Sequence, residues 1–544
     1  MKKLDTLNIF FIFVIFFYFV GNLSLIFSNY LDGGHGDSTH RILFTRDFLD
    51  YRLKEIFQFH LVSPWPPFPF LIQAYFFKFL KIFNFGLISS IYILSLLLAT
   101  IHLIIIFWFF KKNQKSFLGI IYVIFFTTSG TLNEIFISSM SEIYALFLLS
   151  FSLIIFNKKI NFLLTILLSL IFFLATLCRS EIIFLSLTLF LFLFFFSKKS
   201  YSLVFLLISL FPFVIKNIFF LLYDFHLDSN SITMGNVYNF GSLYERFYNS
   251  LSGIVQFLKW QNFIGISFVI CLFTILSIKN SKVKFLKKNS LIFFLGITYL
   301  IFVLLMFAFG PITQNLRYLF IPTLIIFIGL ILILEKDINQ QFCIIFKNKI
   351  FIIYFFTFIG LLLNLYFLTK SVPSEIRYAK NFLIEKIANN KSSNTGNSLL
   401  FIDSLLGHEM YFMMHTIVHF NNNLAANQYD IRPSPSIHLK TNSNINNENV
   451  SQTELKILSY ISEFKPSYLI IATGEYRYKL ETLTFKYDKN ERSSYILPNS
   501  QYLAKNDLEL NFIKIGRQEK FLYKKIYKGS LLSIYEFEPS TILN

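Results

Sequence analysis

GLISSIYILSLLLATIHLIIIFWFFKKNQKSFLGIIYVIFFTTSGTLNE, residues 86–134, decides the fold class. An apolar run ends at Lys111, Lys112 and Lys115, a second follows, and that one ends at Glu134. A spanning helix needs about 20 apolar residues, and basic connectors are retained on the cytoplasmic side. The stretch therefore reads as a span, an inner connector, a second span and an outer connector.

The pattern continues in both directions. Lys158 and Lys159, Lys198 and Lys199, Lys279 to Lys288, and Lys347 and Lys349 fill one set of connectors. Asp32, Asp37, Asp47, Asp50, Glu55, Glu134, Glu142, Glu181, Asp224, Asp228 and Glu245 fill the alternate set. The chain reads as an α-helical polytopic membrane protein of about eleven transmembrane helices. Spans are expected near 7–27, 86–110, 117–133, 141–156, 162–177, 181–197, 203–223, 262–278, 290–309, 318–334 and 350–369. The first reads as an uncleaved anchor in the inner (cytoplasmic) membrane, with the N-terminus inside.

Composition agrees. Of 544 residues, 55% are hydrophobic and 73 are Phe, a load no water-facing surface would accept. The net charge of +18 sits in the lysine connectors, not on one groove-shaped face, so no nucleic-acid partner is indicated and the surrounding partner is membrane lipid. Cys178, Cys271 and Cys343 lie in or beside apolar runs, and no CxxC or Cys/His set suggests a bound metal or a disulfide framework.

The outer loop 28–85 carries two interfacial elements. Residues 38–58 set Arg41, Arg46, Arg52 and Lys54 against Leu43, Phe44, Phe48 and Leu53, a pattern for a helix lying in the interface. Ser63-Pro64-Trp65-Pro66-Pro67-Phe68-Pro69 breaks any helix. The run 70–83 holds Gln73, Lys78 and Lys81 and reads as a second interfacial or re-entrant helix, because a span there would invert every later connector. Residues 1–369 thus form a membrane module. From 370 to 544 the apolar runs shorten to strand length at 399–402, 469–472, 512–515 and 531–535, with a helical pattern at 453–464, which predicts a soluble α/β domain on the outer face. The Asn-rich stretch 439–450 reads as a loop. His408, His415 and His419 form the nearest approach to a metal set there.

Several ionisable residues stand at the outer ends of spans. Asp37, with His40 three residues on, is placed to take a proton from a hydroxyl or to cap the following helix. Asp32 competes for the basic role, or turns the chain at Asp-Gly-Gly. Glu142 opens a span, as a cavity wall or as a partner of the helix dipole. Arg179 and Glu181 join two apolar runs with almost no loop; Arg179 offers a fork of donors to phosphate, or pairs with Glu181 to pin a hairpin. Arg317-Tyr318 opens another span, as phosphate ligand or interfacial anchor.

Gly36-Asp37-x-x-His40, Arg46-Asp47 with Asp50, and Trp65-Pro66-Pro67 before an apolar helix, followed by Met140-Ser141-Glu142, Arg179-Ser180-Glu181 and Arg317-Tyr318, resemble in order integral-membrane glycosyltransferases of the C superfamily (GT-C). The branch is that of the protein O-mannosyltransferases and aminoarabinose transferases, and the resemblance covers residues 1–335. It implies an enzyme of the cell envelope that transfers sugar from a polyprenyl-monophosphate donor, with inversion, to an acceptor hydroxyl on a protein, lipid or glycan. It implies a first-loop acid as general base. That role falls on Asp37, with Asp32 as the competitor, since the adjacent acids of many members are separated here. Arg179 and Arg317 would hold the donor phosphate, and His40, Glu142, Glu181 and Tyr318 would line the cavity. No organic cofactor is called for, and a divalent cation stays open. An oligosaccharide ligase or polymerase using a lipid-diphosphate donor shares this topology. A transporter or flippase would favour ionisable residues at mid-membrane and an internal repeat.

Overall fold

The computed structural model describes residues 6–28, 41–42, 45–46, 48–49, 66–156, 161–196, 198–222, 290–309, 316–333, 350–370, 374–390, 400–402, 468–472, 522–530 and 532–538. This part is mostly helical and divides into two compact units, the first ending at Thr369 and the second beginning at Lys370.

In the first unit the elements are α1 (Thr6–Phe27), α2 (Phe68–Lys81), α3 (Leu87–Lys112), α4 (Ser116–Thr128), α5 (Gly130–Ile137), α6 (Ser141–Phe156), α7 (Phe162–Thr176), α8 (Ile182–Phe196), α9 (Lys199–Leu222), α10 (Ser290–Phe309), a 3-10 turn (Leu316–Leu319), α11 (Phe320–Ile333) and α12 (Ile350–Lys370). Among the described residues α1, α3 and most of α12 are long and apolar enough to cross a membrane, and seven shorter apolar helices accompany them. The expected span at 262–278 lies outside the described residues.

Burial separates the helices by role. α3 is the central element, packed by α1, α2, α4, α5 and α6, and most of its residues are buried. α1 and α12 pack through Phe10 and Phe13 against Tyr354, and each leaves an apolar face outward, such as Ile12 and Phe16 on α1 and Phe351 and Phe356 on α12. Water would penalise those faces, whereas lipid accepts them. α10 and α11 approach backbone to backbone. A Cβ on Gly329 would lie 2.4 Å from Phe293 Cα, and one on Gly296 would lie 2.7 Å from the Ile326 backbone nitrogen. Small residues at such crossings are how helices pack where burial from water no longer drives association.

The expected span at 117–133 is divided. α4 stops at Thr128, and Ser129 caps α5 by accepting from the Leu132 backbone N–H. A serine in extended conformation is good N-cap chemistry, and the apolar count gave it no weight. The 38–58 pattern is corrected at one position. Residues 41–42, 45–46 and 48–49 are helical, but Arg41 is buried instead of facing the interface. The run 70–83 is helical as α2 and two-sided: Phe70, Gln73 and Ala74 point inward, while Tyr75, Phe79, Ile82 and Phe83 are exposed.

The second unit contains α13 (Ser374–Asn390) and strands β1 (Leu400–Ile402), β2 (Tyr468–Ala472), β3 (Leu522–Lys528) and β4 (Leu532–Glu538), ordered β1-β2-β4-β3. β1 and β2 are parallel, and the other two pairings are antiparallel. Glu375 on α13 accepts from the backbone N–H groups of Ser530 (3.0 Å) and Leu532 (3.2 Å), so the carboxylate holds the β3–β4 turn. A Cβ on Gly529 would press on the Glu375 carboxylate, so a larger residue there would push that side chain away from the turn. The expected pieces at 439–450, 453–464 and 512–515 and the three histidines lie outside the described residues.

Candidate functional site

α7 and α8 are joined by the tight turn Leu177–Glu181. The Cys178 and Arg179 backbone N–H groups still donate to Ala175, at 3.0 and 2.9 Å, and Ile182 N–H donates to Arg179 at 3.2 Å. With no slack in that turn, Arg179 is carried into the interior and is only 5% exposed. Glu142 reaches it from the first turn of α6 and is fully buried. Entry to α6 runs through Ser139, which holds φ of 62° in a region seldom used by a residue with a Cβ.

Three separated motifs meet here. Arg179 Nη1 forms an ion pair with Glu142 Oε1, and Arg179 Nη2 lies 3.1 Å from Glu181 Oε1. Ser141 Oγ lies 3.4 Å from both Arg179 Nη1 and Glu142 Oε2. The ring of Tyr318, in the 3-10 turn before α11, sits 4.7 Å from the guanidinium carbon, within range of a cation–π contact. Burial alone opposes the charge of Arg179. Glu142 and Glu181 more than offset it, and its pKa stands well above the ordinary value. Burial likewise pushes the neighbouring Cys178 thiol well up, although Arg41 and Arg179 pull the other way.

α2 closes one side of the site. Phe68 N–H donates to the Leu177 carbonyl at 3.3 Å, and Gln73 Nε2 donates to Tyr144 Oη at 2.8 Å, one turn after the start of α6. Tyr144 Oη lies 3.5 Å from Ser95 Oγ on α3. Thr45 Oγ1 meets Gln73 Oε1 and the Arg41 carbonyl, the latter at 2.9 Å; its single proton serves one acceptor at a time. Gln73, Tyr144, Ser141 and Arg41 were not singled out as site residues in the sequence. Two of them carried a signal: Ser141 stands in the Met140-Ser141-Glu142 motif, and Gln73 is an amide inside an apolar run, three residues after Phe70.

The opposite end of α11 is held differently. Lys115, in the α3–α4 connector, donates to the carbonyls of Ile331 (3.1 Å) and Leu332 in the last turn of α11. At 1.5 Å per residue, a helix of this length separates the Tyr318 end from the Lys115 end by about 20 Å.

Of the expected site residues, Glu142, Arg179, Glu181 and Tyr318 come together. Asp32, Asp37 and His40 lie outside the described residues, as does the side chain of Arg317, whose backbone is in the 3-10 turn. Among the described residues no three His, Cys, Asp or Glu side chains converge as a metal-ligand set. No family model matches the chain, and no curated protein matches it.

Proposed function

We propose that this chain is a membrane-embedded glycosyltransferase that moves a sugar from a polyprenyl-monophosphate donor to an acceptor hydroxyl at the outer face of the inner membrane. In this reading about eleven helices span the bilayer, and residues 370–544 form an extracytoplasmic α/β domain that positions the acceptor. A first-loop carboxylate, Asp37 with Asp32 as the alternative, takes the hydroxyl proton as the sugar–phosphate bond breaks.

The observation that carries the reading is the meeting of Glu142, Arg179, Glu181 and Tyr318 at one end of α11, with Lys115 at the other. Charged groups at the acid-rich ends of apolar helices are costly and are retained for work on polar or ionic substrates. A lipid-linked donor suits that place, since its tail stays in the bilayer and its phosphate lies at helix-end depth. Arg179 is engaged by two carboxylates, so a donor phosphate would reach it by exchanging with Glu181, the less buried of the two at 13% side-chain exposure. Arg317 is the second candidate cation.

The test compares cell-envelope glycans by mass in cells expressing the wild type, Asp37→Asn, Asp32→Asn or neither form. A positioned carboxylate contributes about 10²–10⁴-fold to such a step, so Asp37→Asn is expected to remove the product mass while the protein still folds. Loss in Asp32→Asn alone moves the base to Asp32. Wild-type glycans in both variants and in the double variant sink the mechanism.

A further inference from the structure

We infer that Gln73 is a positioning residue whose amide sets the register of the outer-loop residues 41–42, 45–46 and 48–49 against the walls of the charged cluster. Gln73 is fully buried on a helix whose opposite face is exposed. Both ends of its amide have partners: Oε1 takes the Thr45 hydroxyl proton in exchange with the Arg41 carbonyl, and Nε2 donates to Tyr144. Tyr144 lies two residues beyond Glu142 on α6. The amide therefore bridges the outer-loop segment to the helix that presents Glu142.

Two further contacts fix the geometry of that bridge. Phe68 N–H ties the start of α2 to Leu177, in the turn that carries Arg179. Phe48 packs on Phe70 at 5.6 Å between ring centroids, with Ala74 beside them. α2, besides packing on α3, is thus a wedge tied to the outer-loop residues Thr45 and Phe48, to the α7–α8 turn and to α6. Apolar contact alone permits sliding, because it is non-directional. A doubly bonded amide in a dry interior does not, since a shift leaves a donor and an acceptor unmet. The segment so fixed follows Asp37 and Asp32 directly in sequence. Its catalytic consequence rests on the proposed transferase reading; its structural consequence does not.

The experiment uses the full chain in lipid nanodiscs, as wild type, Gln73→Leu, Tyr144→Phe and the double variant. Tyr144→Phe loses one of the amide's hydrogen bonds and Gln73→Leu loses both, each worth roughly one power of ten in a local opening equilibrium, so amide exchange in 41–49 and 68–81 should speed up about tenfold in Tyr144→Phe and more than that in Gln73→Leu. The double variant should be no faster than Gln73→Leu, the mark of residues acting through one linkage. Sugar transfer from the membrane's own polyprenyl-phosphate lipids should fall about tenfold in turnover, while binding of added polyprenyl monophosphate stays within about twofold.

Unchanged exchange in Gln73→Leu overturns the inference. So does faster exchange with unchanged turnover, which reduces Gln73 to a packing contact. Should Gln73→Leu fail to fold, Gln73→Met keeps the side-chain length, loses both hydrogen bonds and is read in the same way. Wild-type glycans in both Asp37→Asn and Asp32→Asn would defeat the transferase reading while leaving the exchange result intact. Loss of glycans in Asp37→Asn with unchanged exchange in Gln73→Leu would defeat this inference alone.

Discussion

Arg179 and Lys115 are both buried cations, 5% and 4% exposed, and they bracket α11 with opposite kinds of partner. Arg179 is neutralised by the side-chain carboxylates of Glu142 and Glu181. Lys115 donates to backbone carbonyls at a helix C-terminus, where the helix dipole already favours positive charge. Backbone carbonyls have nowhere to go, so the lysine end is a clasp. Carboxylates on rotatable side chains can give way to another anion, as the proposed donor site requires of the arginine end. The sorting of charge along the sequence marks these two ends; the partners reveal that they serve different purposes.

The largest test of this contrast removes each cation. Arg179→Met removes one partner of the buried Arg179–Glu142 pair, and breaking a buried pair costs about 3–5 kcal/mol. Lys115→Met unmakes the hydrogen bonds to the Ile331 and Leu332 carbonyls, a loss of about 1–2 kcal/mol. Denaturant unfolding in detergent micelles measures both. Equal losses would mean that the two ends are the same kind of contact.

A smaller effect separates the two carboxylates. Glu181 is 13% exposed and Glu142 is not exposed at all. Glu181→Gln should change stability by less than about 1 kcal/mol, as expected for a partly solvated pair. It should also raise affinity for polyprenyl monophosphate, because the competing charge is gone and the amide still fills the space. Titration of that lipid into nanodiscs reads the change. A fall in affinity would make Glu181 a ligand-ordering group instead of a competitor.

Much of the helical framework was legible because long apolar runs mark the helices. The clasp was half legible: Lys115 was read as part of a basic connector, but a connection spanning some two hundred residues of sequence to Leu332 leaves no local trace. In the candidate site, Arg179 and Glu181 are neighbours along the chain, and their pairing is a local option visible in the sequence. Glu142 joins them only because α6 and α7 pack side by side. Arg41 was misread because an amphipathic pattern assigns every cation to the polar face, and a buried arginine near Tyr144 and Cys178 breaks that rule. β3, with Lys524, Lys525 and Lys528, was missed because its charges hide the alternation that strands are read by, whereas its hairpin partner β4 was found at 531–535. Its place is set by pairing with β4 and by Tyr527 packing on Tyr378 and Phe382 of α13, which are tertiary facts.

The smallest predicted effect concerns Tyr318, and it asks whether the arginine end is organised by its carboxylates alone. The two carboxylates take the two terminal nitrogens of the guanidinium, while the Tyr318 ring is stacked 4.7 Å from the central carbon. A planar cation over an aromatic face gains about 0.5–2 kcal/mol, the larger figure where water is excluded. Tyr318→Leu removes the face and keeps an apolar side chain, so it should lose an amount in that range and loosen donor-lipid binding. Tyr318→Phe keeps the face and should lose less than the leucine variant in both measurements. If the two variants behave alike, the ring contributes bulk only, and Glu142, Glu181 and Ser141 hold the arginine in place. If phenylalanine is the worse of the two, the phenolic hydroxyl has a role of its own, and the arginine end has a polar partner besides those three to exchange.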